Sequence, residues 1–142
     1  MLAEPLRIVA SERGLQRLEW QDGEPLGPPA LIEETQKQLA EYFAGTRRAF
    51  ELPLDPAGTE FQQRAWRALL EIPYGETRTY AEQAQRLGIP NGARAVGSAN
   101  ARNPIPIVIP CHRLVGASGE LTGYAGGLEV KEHLLRLEGA LA

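Results

Sequence analysis

The sequence is poor in sulfur and in ammonium groups. Of its 142 residues one is cysteine, Cys111, and of 15 basic residues only Lys37 and Lys131 are lysines. A single cysteine excludes an intrachain disulfide framework. It also excludes a cysteine-rich zinc site, because Cys111, His112 and His133 are the only soft ligands the chain offers. An unpaired thiol suits a reducing compartment, so a cytoplasmic location is expected. No apolar run approaches the roughly 20 residues of a membrane span, and the first residues lack a charged-then-apolar secretion pattern. No membrane partner is expected. The shortage of lysine fits a high-GC genome and heat adaptation equally well.

The formal net charge of -3 argues against a protein that coats nucleic acid non-specifically. Charge is unevenly spread, however. Between Arg78 and Arg113 stand five arginines (Arg78, Arg86, Arg94, Arg102 and Arg113) and one acid, Glu82. That stretch reads either as a solvated face or as a basic surface for a polyanion.

The periodicity predicts an α/β (α+β) chain. Residues Leu6 to Trp20 read as a hairpin turning at Ser11-Glu12-Arg13-Gly14. A helix is expected over about Ala30–Ala44 with Gly45 as its stop, then a short strand through Phe50, Leu52 and Leu54. Asp55-Pro56-Ala57-Gly58 reads as a linker. Two parts follow: 1–56, a small N-terminal hairpin and helix module, packed on 57–142, a mainly helical C-terminal domain. In the second part Thr59 caps a helix carrying Phe61, Ala65, Trp66, Leu69 and Leu70. Thr79 caps a short helix to Leu87, and Asn91 caps another over about Gly92–Arg102. Two short helices about Gly88-Ile89-Pro90 outline a helix-turn-helix. A last helix is expected over about Leu128–Glu138, closed by Gly139, with Leu134, Leu135 and Leu137 buried.

Between the last two helices lies Asn103-Pro104-Ile105-Pro106-Ile107-Val108-Ile109-Pro110-Cys111-His112-Arg113. Its prolines forbid a helix, and alternation of Ile105, Ile107 and Ile109 predicts an extended segment buried on one face. A rigid lead-in ending on Cys-His either holds one sulfur in place or simply inserts a small core residue. The helix before it is odd as well. Ala93, Ala95, Gly97, Ser98, Ala99 and Ala101 are small, and Arg94 stands out among them. Such a surface suits close helix packing, or close approach to a nucleic-acid groove with Arg94 as a wedge in the base stack.

Pro110-Cys111-His112-Arg113, with Asn103-Pro104 before it and Gly123-Tyr124-Ala125-Gly126-Gly127 after it, resembles the O6-alkylguanine-DNA alkyltransferase family. Arg94-Ala95-Val96-Gly97 upstream, and Lys131, Leu134-Leu135 and Glu138-Gly139 downstream, fit in order and spacing. The resemblance covers about Thr59 to Gly139, whereas the N-terminal part matches in outline and is abbreviated. It implies a winged helix-turn-helix-like element on duplex DNA, eversion of O6-alkylguanine, and irreversible transfer of the alkyl group to Cys111. Each molecule, expected to be a monomer, would act once and without a cofactor. His112 would be the base, acting through a water, with Glu138 orienting it as in a triad. Tyr80 would serve base N3, and Asn103 would tie the helix-turn-helix to the active-site turn. Arg94, Ala93, Gly97 and Ser98 would face DNA; Tyr124 and the backbone of Ala125 would close over the base, where relatives often carry serine. Arg113 and Leu114 complete the expected substrate- or DNA-binding group, with Arg113 expected to support structure more than to touch substrate. No metal is implied, since the zinc ligands of some relatives have no counterpart.

Three other readings compete with this one. An alkyltransferase-like protein would bind the lesion without an acceptor cysteine and flag it for other machinery. A helix-turn-helix regulator would read the major groove, although small side chains offer few hydrogen bonds to base edges. A Cys-His hydrolase would need an oxyanion hole of which the sequence gives no sign. As for Glu138 alone, its position at a helix end predicts a solvent-exposed carboxylate.

Overall fold

The computed structural model describes residues 5–124 and 126–141. The chain forms two compact units, Met1–Ala57 and Gly58–Ala142. Among the described residues no helix is long and apolar enough to cross a membrane.

The first unit is built on an antiparallel hairpin, β1 (Arg7–Ser11) and β2 (Gly14–Glu19), with a bulge between Val9 and Ala10. Helix α1 (Pro29–Phe43) follows, and Ile8, Leu15, Leu18, Leu39 and Tyr42 form the core. The strand expected through Phe50, Leu52 and Leu54 does not form. Only Leu54 bridges, to Leu15, because the flanking Pro53 and Pro56 lack the backbone donors a ladder requires. Leu15 N–H donates to Pro53 C=O and Asp55 N–H to Leu15 C=O, and pairing goes no further.

The second unit opens with α2 (Glu60–Leu69), whose start is fixed by a capping box between Thr59 and Gln62. Leu70, assigned above to its apolar face, is 47% exposed at the C-cap. Trp66 is buried and its indole N–H donates to Ala99 C=O at 2.9 Å, filling a carbonyl in the last turn of a later helix. Strand β3 (Arg78–Thr79) leads into α3 (Tyr80–Arg86), where Thr79 and Glu82 form a second capping box. Helix α4 (Ala93–Ala101) comes next. Its N-cap is Gly92, with no side-chain bond, rather than Asn91. The turn is so tight that a Cβ on Gly92 would lie 2.5 Å from the Ile89 side chain, so α4 starts one residue later than the Asn91 signal suggests.

A single 3₁₀ turn, Cys111–Arg113, runs into β4 (Leu114–Val115), which pairs in parallel with β3, and α5 (Leu128–Leu137) ends the unit. Helix α5 closes with Gly139 at φ 80°. Gly139 N–H donates to Arg136 C=O and Ala140 N–H to Leu135 C=O, the paired bonds of a Schellman motif. The same pattern at Gly88 ends α3 and sets the angle into α4. Lys131, Leu134, Leu135 and Glu138 lie at helical spacing and are all buried, so one face of α5 carries a lysine and a glutamate into the core. Leu137, expected with that face, is half-buried beside it.

Candidate active site

The segment before Cys111 is neither extended nor one-sided. Residues 105–110 are all buried, and the backbone folds into two consecutive three-residue turns. Val108 N–H donates to Pro106 C=O at 2.9 Å across Ile107, which takes φ 74°. Cys111 N–H then donates to Ile109 C=O at 2.7 Å across Pro110, at φ -78° and ψ 64°. These are a γ-turn and an inverse γ-turn. Alternating isoleucines mimicked a one-sided strand, but the intervening Pro106 and Val108 are buried too. A β-branched residue at positive φ costs on the order of 1–3 kcal/mol, and burial of Ile105, Ile107 and Ile109 offsets it at roughly 1.5–3 kcal/mol per side chain.

Asn103 holds this double turn from inside. Its amide donates to Ile109 C=O at 2.9 Å and its oxygen accepts from Ile105 N–H at 3.0 Å. Burial drives the Cys111 thiol up to about 11, although a hydrogen bond from Asn103 and the charge of Lys131 pull it back. Cys111 is 5% exposed. In this state it is a thiol, and a nucleophilic role requires a base to take its proton.

His112 supplies a group of the right kind. Its ring is fully buried and Nε2 lies 2.8 Å from Glu138 Oε2. Burial holds the imidazole below its usual range, against the pull of Glu138. Burial pushes Glu138 upward, but hydrogen bonds from His112 and Arg113 outweigh it and hold the carboxyl near about 2. A neutral imidazole facing a carboxylate must place its hydrogen on Nε2. Nδ1 is then the basic nitrogen, and it is buried with no hydrogen-bond partner among the described residues. The Schellman motif after α5 turns Glu138 inward; with 5% exposure it is not the solvated helix end that its position suggested.

Arg113 is committed to the same carboxylate. Nε donates to Oε1 and Nη2 to Oε2, both at 2.9 Å, while Nη1 donates to Ile72 C=O at 2.6 Å. Its guanidinium also lies 5.8 Å from the Tyr74 ring centroid. Arg113 is spent on Glu138, the supporting part expected of it, and the Leu114 side chain is fully buried in β4.

The other expected residues are dispersed around this centre. Tyr80, the first residue of α3, is half-buried and its hydroxyl accepts from Thr122 Oγ1 at 3.1 Å. A Cβ on Gly97 would lie 3.8 Å from the Tyr80 ring, so the small residue there brings α4 close to α3. Arg94 and Ser98 lie on the exposed face of α4 with Ala95, Ala101 and Arg102, and Ala93 sits half-buried at its edge. The Arg94 side chain has no hydrogen bond or ion pair with another described residue. Tyr124 is half-buried in the loop before α5, whereas Ala125 lies outside the described residues.

Of two further buried polar residues, Asn100 escaped the sequence reading and Lys131 entered it only as part of a motif, without a role. Asn100 donates to Cys111 C=O at 3.3 Å, and its oxygen has no partner among the described residues. Its spacing from Val96 puts it on the inner face of α4, which a helical projection would have revealed. Lys131 is fully buried and donates to Thr122 C=O at 2.8 Å, with burial pulling its ammonium down to about 8. Its place on the leucine face of α5 was legible in the same way.

Residues 60–140 match the model of the DNA-binding domain of 6-O-methylguanine DNA methyltransferase, and residues 2–56 match that of its ribonuclease-like domain. The chain belongs to the 6-O-methylguanine DNA methyltransferase family. A family member from Methanosarcina acetivorans, a methylated-DNA–protein-cysteine methyltransferase, is 49% identical, covering 96% of this chain and 92% of its own. Among solved structures, Mycobacterium tuberculosis OGT in complex with DNA superposes with a TM-score of 0.82 at 45% identity, covering 95% of this chain and 92% of that one. S. pombe Atl1, solved with DNA containing O6-carboxymethylguanine, is 32% identical at a TM-score of 0.52 and covers 58% of this chain and 79% of its own. The 6-O-methylguanine DNA methyltransferase match thus extends through the first unit, the part that the sequence recognised in outline alone.

Proposed function

We propose that this protein repairs DNA by direct reversal: it binds the duplex, everts O6-alkylguanine, chiefly O6-methylguanine, and moves the alkyl group onto Cys111. The observation that carries this reading is the buried His112–Glu138 pair beside the buried Cys111 in the chain: Glu138 fixes the hydrogen of His112 on Nε2 and leaves Nδ1 as the base. Side chains of adjacent residues diverge, so the thiol proton passes to Nδ1 through a water. Sγ attacks the alkyl carbon in line with the C–O6 bond; the S–C bond forms, the C–O6 bond breaks, and the electron pair leaves on the purine. The imidazolium formed lies against the Glu138 carboxylate, which stabilises it. Arg113 holds that carboxylate in place and in its charged form.

The departing guanine is anionic, and Tyr80 donates its hydroxyl hydrogen to base N3. Asn103 sets the turn that aims the sulfur. Arg94 fills the gap left by the everted base, while Ala93, Gly97 and Ser98 let α4 approach the groove. Tyr124 completes the wall that closes over the everted base. A thioether does not revert, so each molecule reacts once.

The deciding experiment is intact-protein mass after incubation with a duplex containing O6-methylguanine, followed by peptide mapping. The expected result is a gain of one methylene on the peptide that contains Cys111, absent from Cys111→Ala. Tight lesion binding at unchanged mass would replace this reading with that of a non-catalytic lesion-flagging protein.

A further inference from the structure

Thr122 lies in the loop between β4 and α5 and is gripped at both of its polar ends. Lys131 Nζ, fully buried in the first turns of α5, donates to its carbonyl at 2.8 Å. Its own hydroxyl donates to the Tyr80 hydroxyl at 3.1 Å. A continuous chain, Lys131 to Thr122 to Tyr80, therefore runs from α5 through the loop to the start of α3. Among the described residues the Tyr80 hydroxyl has no other hydrogen-bond partner.

A phenol has one hydrogen to give and lone pairs to receive. Receiving from Thr122 occupies a lone pair, fixes the direction of the hydroxyl, and leaves its hydrogen uncommitted. Donation into a hydroxyl also makes that hydroxyl a stronger donor. Lys131 keeps Thr122 from drifting, because a buried ammonium that loses the Thr122 carbonyl has no carboxylate partner among the described residues.

We propose that Thr122 is a positioning residue for alkyl transfer, its hydroxyl turning the Tyr80 hydrogen toward N3 of the everted guanine while Lys131 anchors the loop. The inference rests on the role given to Tyr80 under Proposed function. The balance is complete: as the C–O6 bond breaks, the purine takes the electron pair and then the Tyr80 proton at N3. The phenolate left behind accepts the hydrogen bond from Thr122, and the thiol proton has already gone to His112.

The test compares single-turnover transfer from two duplexes, one with O6-methylguanine and one with O6-methyl-3-deazaguanine, which has a C–H in place of N3. On O6-methylguanine, Thr122→Val should slow transfer about tenfold, the scale of one lost hydrogen bond. On the 3-deaza duplex it should match the parent protein. Thr122→Ser, which keeps the hydroxyl, should recover most of the rate, and adding Thr122→Val to Tyr80→Phe should cost nothing more. Thr122→Ala carries the same comparison should valine crowd the loop. Equal slowing on both duplexes, or no slowing on either, overturns the inference while leaving Tyr80 its role. If Tyr80→Phe itself transfers from O6-methylguanine at the parent rate, the role of Tyr80 falls and Thr122 falls with it.

Discussion

Arg94 and Arg113 belong to the same basic stretch of sequence, yet they end in opposite circumstances. Arg113 is buried, doubly bonded to Glu138, bonded again to Ile72 C=O, and stacked near Tyr74. Arg94 stands in solvent on α4 with no partner for its guanidinium among the described residues. One arginine keeps a carboxylate charged in the interior, where an unpaired ion would be costly. The other is left free for something outside the chain, and the small residues around it leave room for that approach. Counting arginines along a sequence cannot separate these uses; the location of an acid to meet them does.

The contrast breaks most visibly at Glu138. Glu138→Gln leaves Arg113 buried without its counter-charge and is expected to cost about 3–5 kcal/mol, read from urea unfolding. The same carboxylate makes the protein acid-sensitive. Its folded value near about 2 lies below its ordinary 4.5, so its contribution is fully present above that ordinary value and fades as pH falls through 4.5 toward 2. The loss should be on the order of 3 kcal/mol in chemical denaturation at stepped pH, and Glu138→Gln should lack that step.

On the α4 side the expected effects move from stability to DNA. Arg94→Ala should slow transfer from duplex at subsaturating protein about tenfold, roughly 1.4 kcal/mol. It should change unfolding free energy by less than about 0.5 kcal/mol. Parent-like transfer in Arg94→Ala would remove the wedge role and leave only the interior half of the comparison. The smallest effect is expected at Arg102, exposed at the end of α4. Arg102→Ala should weaken binding to damaged and undamaged duplex alike, lowering the slope of log affinity against log salt by about 1 in a fluorescence titration.

Much of this was legible in the residues. Thr59 and Thr79 announced their helices as N-caps, which the structure extends to capping boxes, and Gly45, Gly88 and Gly139 marked helix ends, because these signals act within a few residues. Cys111, His112 and Glu138 were named from family motifs, and the structure brings His112 and Glu138 together. The misreadings are of another kind. The proline-isoleucine run looked extended, since period-two alternation cannot distinguish a strand from two successive tight turns whose residues are all buried. Arg113 was expected to support structure, but its partner could not be named, since Glu138 stands 25 residues further along the chain. Asn91 looked like a cap until Ile89 folded against Gly92. These misses turn on tight turns and close packing that neither periodicity nor a single capping residue registers.

The two lysines end in places that turn a scarcity into a gauge. Lys37 is exposed on α1, while Lys131 is wholly enclosed behind the loop that holds Thr122. An acylating reagent therefore meets one side-chain amine in the closed protein and a second only after α5 or that loop has moved aside. Pocket opening can be followed by mass, one acyl group at a time, with no label added.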